Sequence, residues 1–216
     1  MAASLAERLT ATLRDRVITG VLAPGTVVIE PALAREFQVS KTPVREALQR
    51  LTHDGLIEVL PKRGYLVRAM TQADLRDVIE LRELLEPLAA AQVSAAVSRR
   101  GPAAEAIVDA LRQALEAQRA ATRHDERVGA ALRFHRTLAE LTPNARLRAP
   151  LARALDETTR ALYVLPAAFE ERRDDEGLAE HEALFAAIES GDAGAAEVAA
   201  GRHFARLRPA AGSPTD

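Results

Sequence analysis

Five histidines occur in the 216 residues, and three of them fall where an imidazole could do chemistry. His135 lies on a helical stripe with Val128, Ala131/Leu132 and Leu138/Ala139. His181 shares one with Leu178, Leu184/Phe185 and Ile188, and His203 one with Ala199 and Leu207. Imidazole nitrogens suit Zn, Ni or Cu, and three protein ligands leave open positions for water or a ligand carboxylate. A single imidazole on an apolar face is usually a hydrogen-bonded core residue, and that reading stays open. Three in one bundle each need a buried partner. Such a metal could also activate water. Against an enzyme, no paired general base stands out, because the available carboxylates fall mostly on polar stripes. His53 and His124 sit in polar segments and are expected at the surface. Arg82 can present a two-pronged fork to a carboxylate, or form an ordinary ion pair with Glu86 at i+4.

A second set of residues has the chemistry of DNA contact. Ser40, Lys41, Thr42 and Arg45 cluster at the start of a helical segment. Ser40 and Thr42 can bond phosphates together with the helix N-terminal amides. Arg45 is long enough to reach a guanine edge with two hydrogen bonds. Arg50 lies further along the same segment. Lys62 and Arg63, beside Gly64, form a basic turn that can lie against a groove or phosphate. The alternative is a solvated helix with an ordinary cap and a basic hairpin.

The elements that hold these residues are legible from periodicity. Leu5, Leu9, Leu13 and Val17 mark a helix over about 4–20, with Ser4 as cap. A short β-prone run, Thr26 to Ile29, precedes Glu30-Pro31, which opens a short helix to Phe37. After the turn Gln38-Val39, Ser40 caps a helix to about His53, its Val44, Leu48 and Leu51 facing inward. Leu56 to Leu60 and Tyr65 to Val67 are β-like, with Pro61-Lys62-Arg63-Gly64 between them. Helix, helix-turn-helix, β-hairpin is the winged helix-turn-helix order. From Thr71, with Asp74 as a variant capping box, every strong signal is helical. Helices are expected over about 72–97, 103–122, 126–141, 145–165, 177–190 and 193–208. The breaks fall at Gly101-Pro102, Pro143-Asn144, the Pro166–Asp175 stretch and Gly191-Asp192. Six helices with short connections make an antiparallel bundle. The fold class is therefore mainly α: residues 1–70 as a winged helix-turn-helix, 71–208 as an all-helical domain, 209–216 as a disordered tail.

Composition agrees. Hydrophobic residues make up 48% and charged residues 28%, as in a globular protein. Aromatics are only 3%, so the core must come from Leu, Val, Ile and Ala. Cysteine is absent, which excludes disulfides and sulfur ligation and fits a cytoplasmic protein. No segment approaches the roughly 18 apolar residues needed to span a bilayer, and the N-terminus lacks a signal-peptide layout. The net charge of −2 conceals an asymmetry. Residues 1–70 carry ten Lys/Arg against seven Asp/Glu, and the remainder nineteen against twenty-four. A basic third on an acidic remainder suits a DNA-binding module joined to something that does not touch DNA.

The run Val39-Ser40-Lys41-Thr42-Pro43-Val44-Arg45-Glu46-Ala47-Leu48-Gln49-Arg50-Leu51, with Pro24-Gly25, Leu33-Ala34, Gly55-Leu56-Ile57 and Arg63-Gly64 around it, resembles the DNA-binding domain of the GntR family. The resemblance implies DNA contacts from Ser40, Lys41, Arg45 and the wing around Lys62 to Gly64. Some members place an Arg early in the second helix; the matching position here is Pro31, so that contact is lost. Residues 72–208 resemble the FCD ligand-binding domain of the FadR branch. The carriers are Arg82-x-x-Leu85-Glu86, Phe134-His135-x-x-Leu138, Asn144, His181-x-x-Leu184, Ile188-x-x-Gly191-Asp192 and His203. In that family an Asp four residues before the first His joins three His around a divalent metal, which with a nearby Arg takes a carboxylate effector. Here His135, His181 and His203 match, but the Asp position is Ala131. The resemblance implies either a weakened Zn or Ni site, or a metal-free pocket binding its effector through His and Arg directly. The expected protein is a homodimeric repressor on a two-fold double-stranded DNA operator, controlled by a small, polar, carboxylate-bearing effector. A regulator in which the metal is itself the signal is the alternative.

Overall fold

The computed structural model describes residues 4–168 and 174–207. The expected tail, 209–216, lies outside the described residues. The chain divides into two compact units: Met1–Thr71 with Thr159–Pro166, and Gln72–Thr158 with Ala167–Asp216. Among the described residues, no helix is long and apolar enough to cross a membrane.

In the first unit α1 spans Leu5–Ile18 and starts with a full capping box. The Glu7 amide donates to Ser4 Oγ (3.2 Å), and Glu7 Oε2 accepts from the Ser4 amide (2.7 Å). β1 (Val27–Val28), α2 (Glu30–Glu36), α3 (Lys41–His53), β2 (Ile57–Leu60) and β3 (Gly64–Val67) follow. Leu9, Leu13, Val17, Leu33, Val44, Leu48, Leu51, Ile57 and Val67 form its core. The sheet order is β1-β3-β2, all antiparallel, with Val28 opposite Tyr65 and Val59 opposite Tyr65 on the other side. Residues 159–166 join this unit rather than the second, and there the Arg160 guanidinium donates to the main-chain carbonyl of Arg68.

Gly64 explains how the wing closes. Its φ is +115°, and a Cβ would fall 2.4 Å from the Val28 carbonyl oxygen and 2.8 Å from Ile29 Cγ2. The glycine is therefore required by the close approach of β1, whatever the wing touches. Gly64→Ala should cost about 1–3 kcal/mol of stability. A thermal melt of the variant matching wild type would contradict this.

The second unit is helical. α4 (Gln72–Val97), α5 (Pro102–Ala120), α6 (His124–Leu141), α7 (Ala145–Val164), α8 (Asp174–Ser190) and α9 (Ala193–Leu207) lie within a residue or three of the expected spans. α5 begins at Pro102, which follows Gly101 at φ +106°. Asn144 starts α7 by accepting from the Arg146 amide at 3.0 Å. The main core joins Val93 and Val97 of α4, Leu111 and Leu115 of α5, Phe134 and Leu138 of α6, Leu184 and Ile188 of α8, and Ala196 and Ala200 of α9. Few of these are aromatic, as the composition requires.

Candidate functional sites

In the first unit every basic and small polar residue singled out on α3 and the wing is exposed: Ser40, Lys41, Thr42, Arg45, Arg50, Lys62 and Arg63. Ser40 occupies the N-cap position of α3, but its side chain makes no capping hydrogen bond. The hydroxyl expected to cap the helix is thus turned away from the first amides. Lys62, at the wing tip, sits at φ +64°.

The structure departs from the sequence reading at Arg45. Its guanidinium is already engaged: Nε and Nη2 donate to the two carboxylate oxygens of Glu30 at 2.9 and 2.7 Å. The Tyr65 hydroxyl donates to the same carboxylate at 3.3 Å. Glu30 is held below the usual carboxylate range, chiefly by the Arg45 hydrogen bond. Contact with a base through the Nε–Nη2 edge therefore requires exchange of Glu30 for guanine. The same carboxylate ties α2, α3 and β3 together at one point, which aligns the recognition helix with the wing strand. Sequence reasoning missed Glu30 and Tyr65. Glu30 stood in plain view beside Pro31, but nothing in its spacing reveals a partner 15 residues on and another 35 on.

In the second unit the three expected histidines converge. His135 comes from α6, His181 from α8 and His203 from α9; all are buried, and one ligand atom of each lies within 4.8 Å of the others. His135 Nε2 and His181 Nε2 are 3.0 Å apart. Every outward nitrogen has an acceptor. His135 Nδ1 lies 2.5 Å from Glu86 Oε2, His181 Nδ1 2.7 Å from Gln118 Oε1, and His203 Nδ1 2.8 Å from Glu180 Oε2. An acceptor at Nδ1 places the proton there, so each Nε2 carries a lone pair. Burial, together with Arg82 and His203, lowers the pKa of His135 to about 4 against the pull of Glu86. Burial and the neighbouring cations hold His181 well below its ordinary value. At neutral pH both rings are neutral, and two lone pairs face each other across 3.0 Å. His203 Nε2 is buried with no hydrogen-bond partner. Three lone pairs pointing at one another in a buried space are repulsive until a cation lies between them. Phe134 stacks on His181 with centroids 4.9 Å apart, and Phe204 meets His203 edge-on at 5.1 Å, so the rings cannot easily turn away.

Arg82 is buried beside this cluster. It makes the ion pair to Glu86, with Nε donating to Oε1 at 2.7 Å. Its guanidinium lies 5.2 Å from the Phe204 ring centre, and Nη2 is buried without a partner. The open two-pronged fork expected of Arg82 is thus half used: Glu86 occupies one prong, and Nη2 remains. Glu86 itself is pulled down to about 2, since Arg82 and His135 outweigh the opposing effect of burial. Ala131, one turn before His135, is half-buried and offers no ligand atom. Gln118 and Glu180 were missed. Gln118 continues the stripe of Leu111 and Leu115, so a buried polar residue there was the available signal. His53 is exposed as expected, and His124 is half-buried at the start of α6.

A winged helix-turn-helix with a basic exposed face, joined to a helical unit with a buried polar site, defines a DNA-binding transcription regulator with a sensory domain. Comparison with known proteins gives the family. Residues 5–67 match the bacterial regulatory proteins of the gntR family, and residues 77–206 match the FCD domain. The chain belongs to the GntR family. It is 33% identical over 199 residues to a helix-turn-helix-type transcriptional regulator in an unstable DNA locus of Streptomyces ambofaciens, covering 89% of this chain and 78% of that one. It is 37% identical over 84 residues to the gluconate operon transcriptional repressor of Bacillus subtilis, covering 39% of this chain and 34% of the repressor. Among solved structures, McbR/YncC of Escherichia coli superposes with a TM-score of 0.74 at 23% identity, covering 95% of each chain. A GntR transcriptional regulator from Rhodococcus sp. RHA1 gives 0.71 at 25% identity, over 95% of this chain and 98% of that one.

Proposed function

We propose that this GntR-family regulator is a cytoplasmic homodimeric repressor whose operator affinity is set by a small carboxylate effector in the second unit. Its buried site would be built on a divalent metal, Zn or Ni. The observation that carries the reading is the meeting of three neutral imidazole nitrogens, each oriented from behind, beside the unpartnered Nη2 of Arg82. His135, His181 and His203 would hold the metal, which when bound would supply an open coordination position for a carboxylate oxygen. Arg82 Nη2 would bind the effector's other oxygen, and Glu86 would keep the guanidinium in place. Loss of the Asp ligand at Ala131 is partly offset by Glu86 and Glu180, whose charges behind two of the rings raise ligand basicity. The effector shifts operator occupancy only by its differential affinity for the two states, typically about 1–3 kcal/mol.

On the DNA side, Ser40, Lys41, Thr42, Arg50, Lys62 and Arg63 would position the protein through phosphates, and Arg45 would read a base. Arg45→Lys keeps the charge but loses the planar fork. It should lower affinity for a selected duplex roughly 5- to 150-fold, the range of one two-pronged base contact, and leave non-specific binding nearly unchanged. Equal losses on both DNAs would make Arg45 a phosphate contact instead.

The test of the whole reading is fluorescence anisotropy on a duplex selected from random sequence. It would be run with chelated protein, with Zn- or Ni-loaded protein, and with loaded protein plus a panel of small mono- and dicarboxylates. Release by a carboxylate only in the loaded protein supports the proposal. The absence of a ligating carboxylate favours a second reading, in which a more exchangeable metal is itself the signal. Metal-dependent affinity without any carboxylate would select it.

A further inference from the structure

α4 has two faces. One is buried through Leu75, Ile79, Arg82, Glu86, Ala89 and Val93. The other carries Leu81, Leu84 and Leu88, which are 41%, 70% and 47% exposed. Half-buried Ala91 and Ala95 continue the line. The order 81, 84, 88, 91, 95 alternates three- and four-residue steps, which is the spacing of a coiled-coil seam. Scattered surface leucines need no explanation, but an ordered stripe of three on one helix face marks an interaction surface.

We infer that this face is covered by a second copy of the chain, through a two-fold antiparallel pairing of the α4 helices centred on Leu88. The inference deepens the homodimer of the proposed function and rests on it. A two-fold interface must be self-complementary, so that residue i meets j and j meets i. With Leu88 on the axis, Leu81 lies against the partner's Ala95, Leu85 against the partner's Ala91, and Leu84 against the partner's Gln92. Bulky side chains at one end meet small ones at the other, which lets the helices approach. The charges select direction. Asp77 and Glu80 are exposed at the N-terminal end, and Arg99 and Arg100 just past the C-terminal end. Asp77 lies on the line of the seam, and this register places it against the partner's Arg99. Arg76 lies about 100° round the helix from Asp77, off the seam. A parallel pairing would set acid against acid and Arg99 against Arg99.

The experiment uses the full chain. Light scattering after gel filtration should give wild type at twice the 23.3 kDa chain mass. Leu84→Glu with Leu88→Glu should run as a monomer while keeping its helical circular dichroism. Asp77→Arg should raise the dimer dissociation constant roughly tenfold, and adding Arg99→Asp should restore it. The chain has no cysteine, so Leu88→Cys supplies a unique thiol. Mild oxidation should then link the copies into a covalent dimer, whereas Val198→Cys, exposed on α9, should not. This cross-link decides the matter if the glutamate variant does not fold. A glutamate variant that stays dimeric, or cross-linking at 198 and not at 88, overturns this surface and leaves the homodimer standing. Wild type that is monomeric both free and on DNA overturns both.

Discussion

Wild-type protein, dialysed against Zn or Ni and then freed of excess ion, is expected to hold about one metal per chain, and His181→Ala none above background. The argument rests on what each imidazole does in the folded chain. His181 Nδ1 is committed to Gln118, so its Nε2 lone pair can go only toward His135, 3.0 Å away. Deleting the ring leaves His135 and His203 as two neutral donors from α6 and α9, with no carboxylate at Ala131 to complete a set. Gln118→Ala tests the same geometry from behind, because the ring loses the partner that sets its tautomer. Metal affinity should fall about 10–100-fold with one ion per chain still reached at saturation. Metal loading should also raise the melting temperature of wild type; at a free concentration 100 times the dissociation constant the gain is about 2.7 kcal/mol. Elemental analysis and chelator competition measure all of this. Wild type that retains neither Zn nor Ni would mean that Ala131 marks a dismantled site, and the ligand search would then follow Arg82 and the histidines as direct hydrogen-bonding groups.

Glu86→Gln is expected to be among the most destabilising isosteric changes in the molecule, at about 3–5 kcal/mol, because it leaves a buried guanidinium without its counter-charge. Arg82 and Glu86 are both almost wholly inaccessible, and the Glu86 carboxylate also accepts from His135. The double variant Arg82→Met with Glu86→Leu should cost far less than the single one, since neither charge is then stranded. The two folds should remain comparable by circular dichroism, while the double variant loses any response to a carboxylate. If the single change cost under about 1 kcal/mol, the guanidinium would have to reach water, contrary to its burial.

The pair also sets an acid limit. Glu86 has a folded pKa of about 2 against an ordinary 4.5. Its contribution is complete above pH 4.5 and is lost as pH falls toward 2. His135, at about 4 against 6.5, acts with the same sign in metal-free protein. The folded ring resists the proton that the unfolded one accepts, so stability declines as pH falls from 6.5 to 4. Chelated wild type should therefore weaken steadily below pH 6.5, and Glu86→Gln should lack the part of that slope below 4.5.

Much of this was written locally. Hydrophobic spacing located the helices to within a few residues, because a helix buries the residues that recur every three or four positions and side chains elsewhere do not alter that count. The breaks at Gly101-Pro102 and Asn144 were equally legible, since a residue with φ above zero, a proline ring and an amide-accepting side chain act on their own backbone. The Ser-x-Thr-Pro-Val-Arg-Glu-Ala-Leu run and the three histidines on apolar stripes marked both sites before any coordinates. The partners were not legible. Glu30 reaches Arg45 across 15 residues, Glu86 reaches His135 across 49, and Gln118 reaches His181 across 63. A hydrogen bond is set within a few tenths of an ångström, and only packing brings such distant segments to that precision. For the same reason Arg45 and Arg82, both read from the sequence as open forks, carry a carboxylate in the folded chain. Periodicity reports which face of a helix is buried; which polar group waits on the facing helix is decided only when the two cores close.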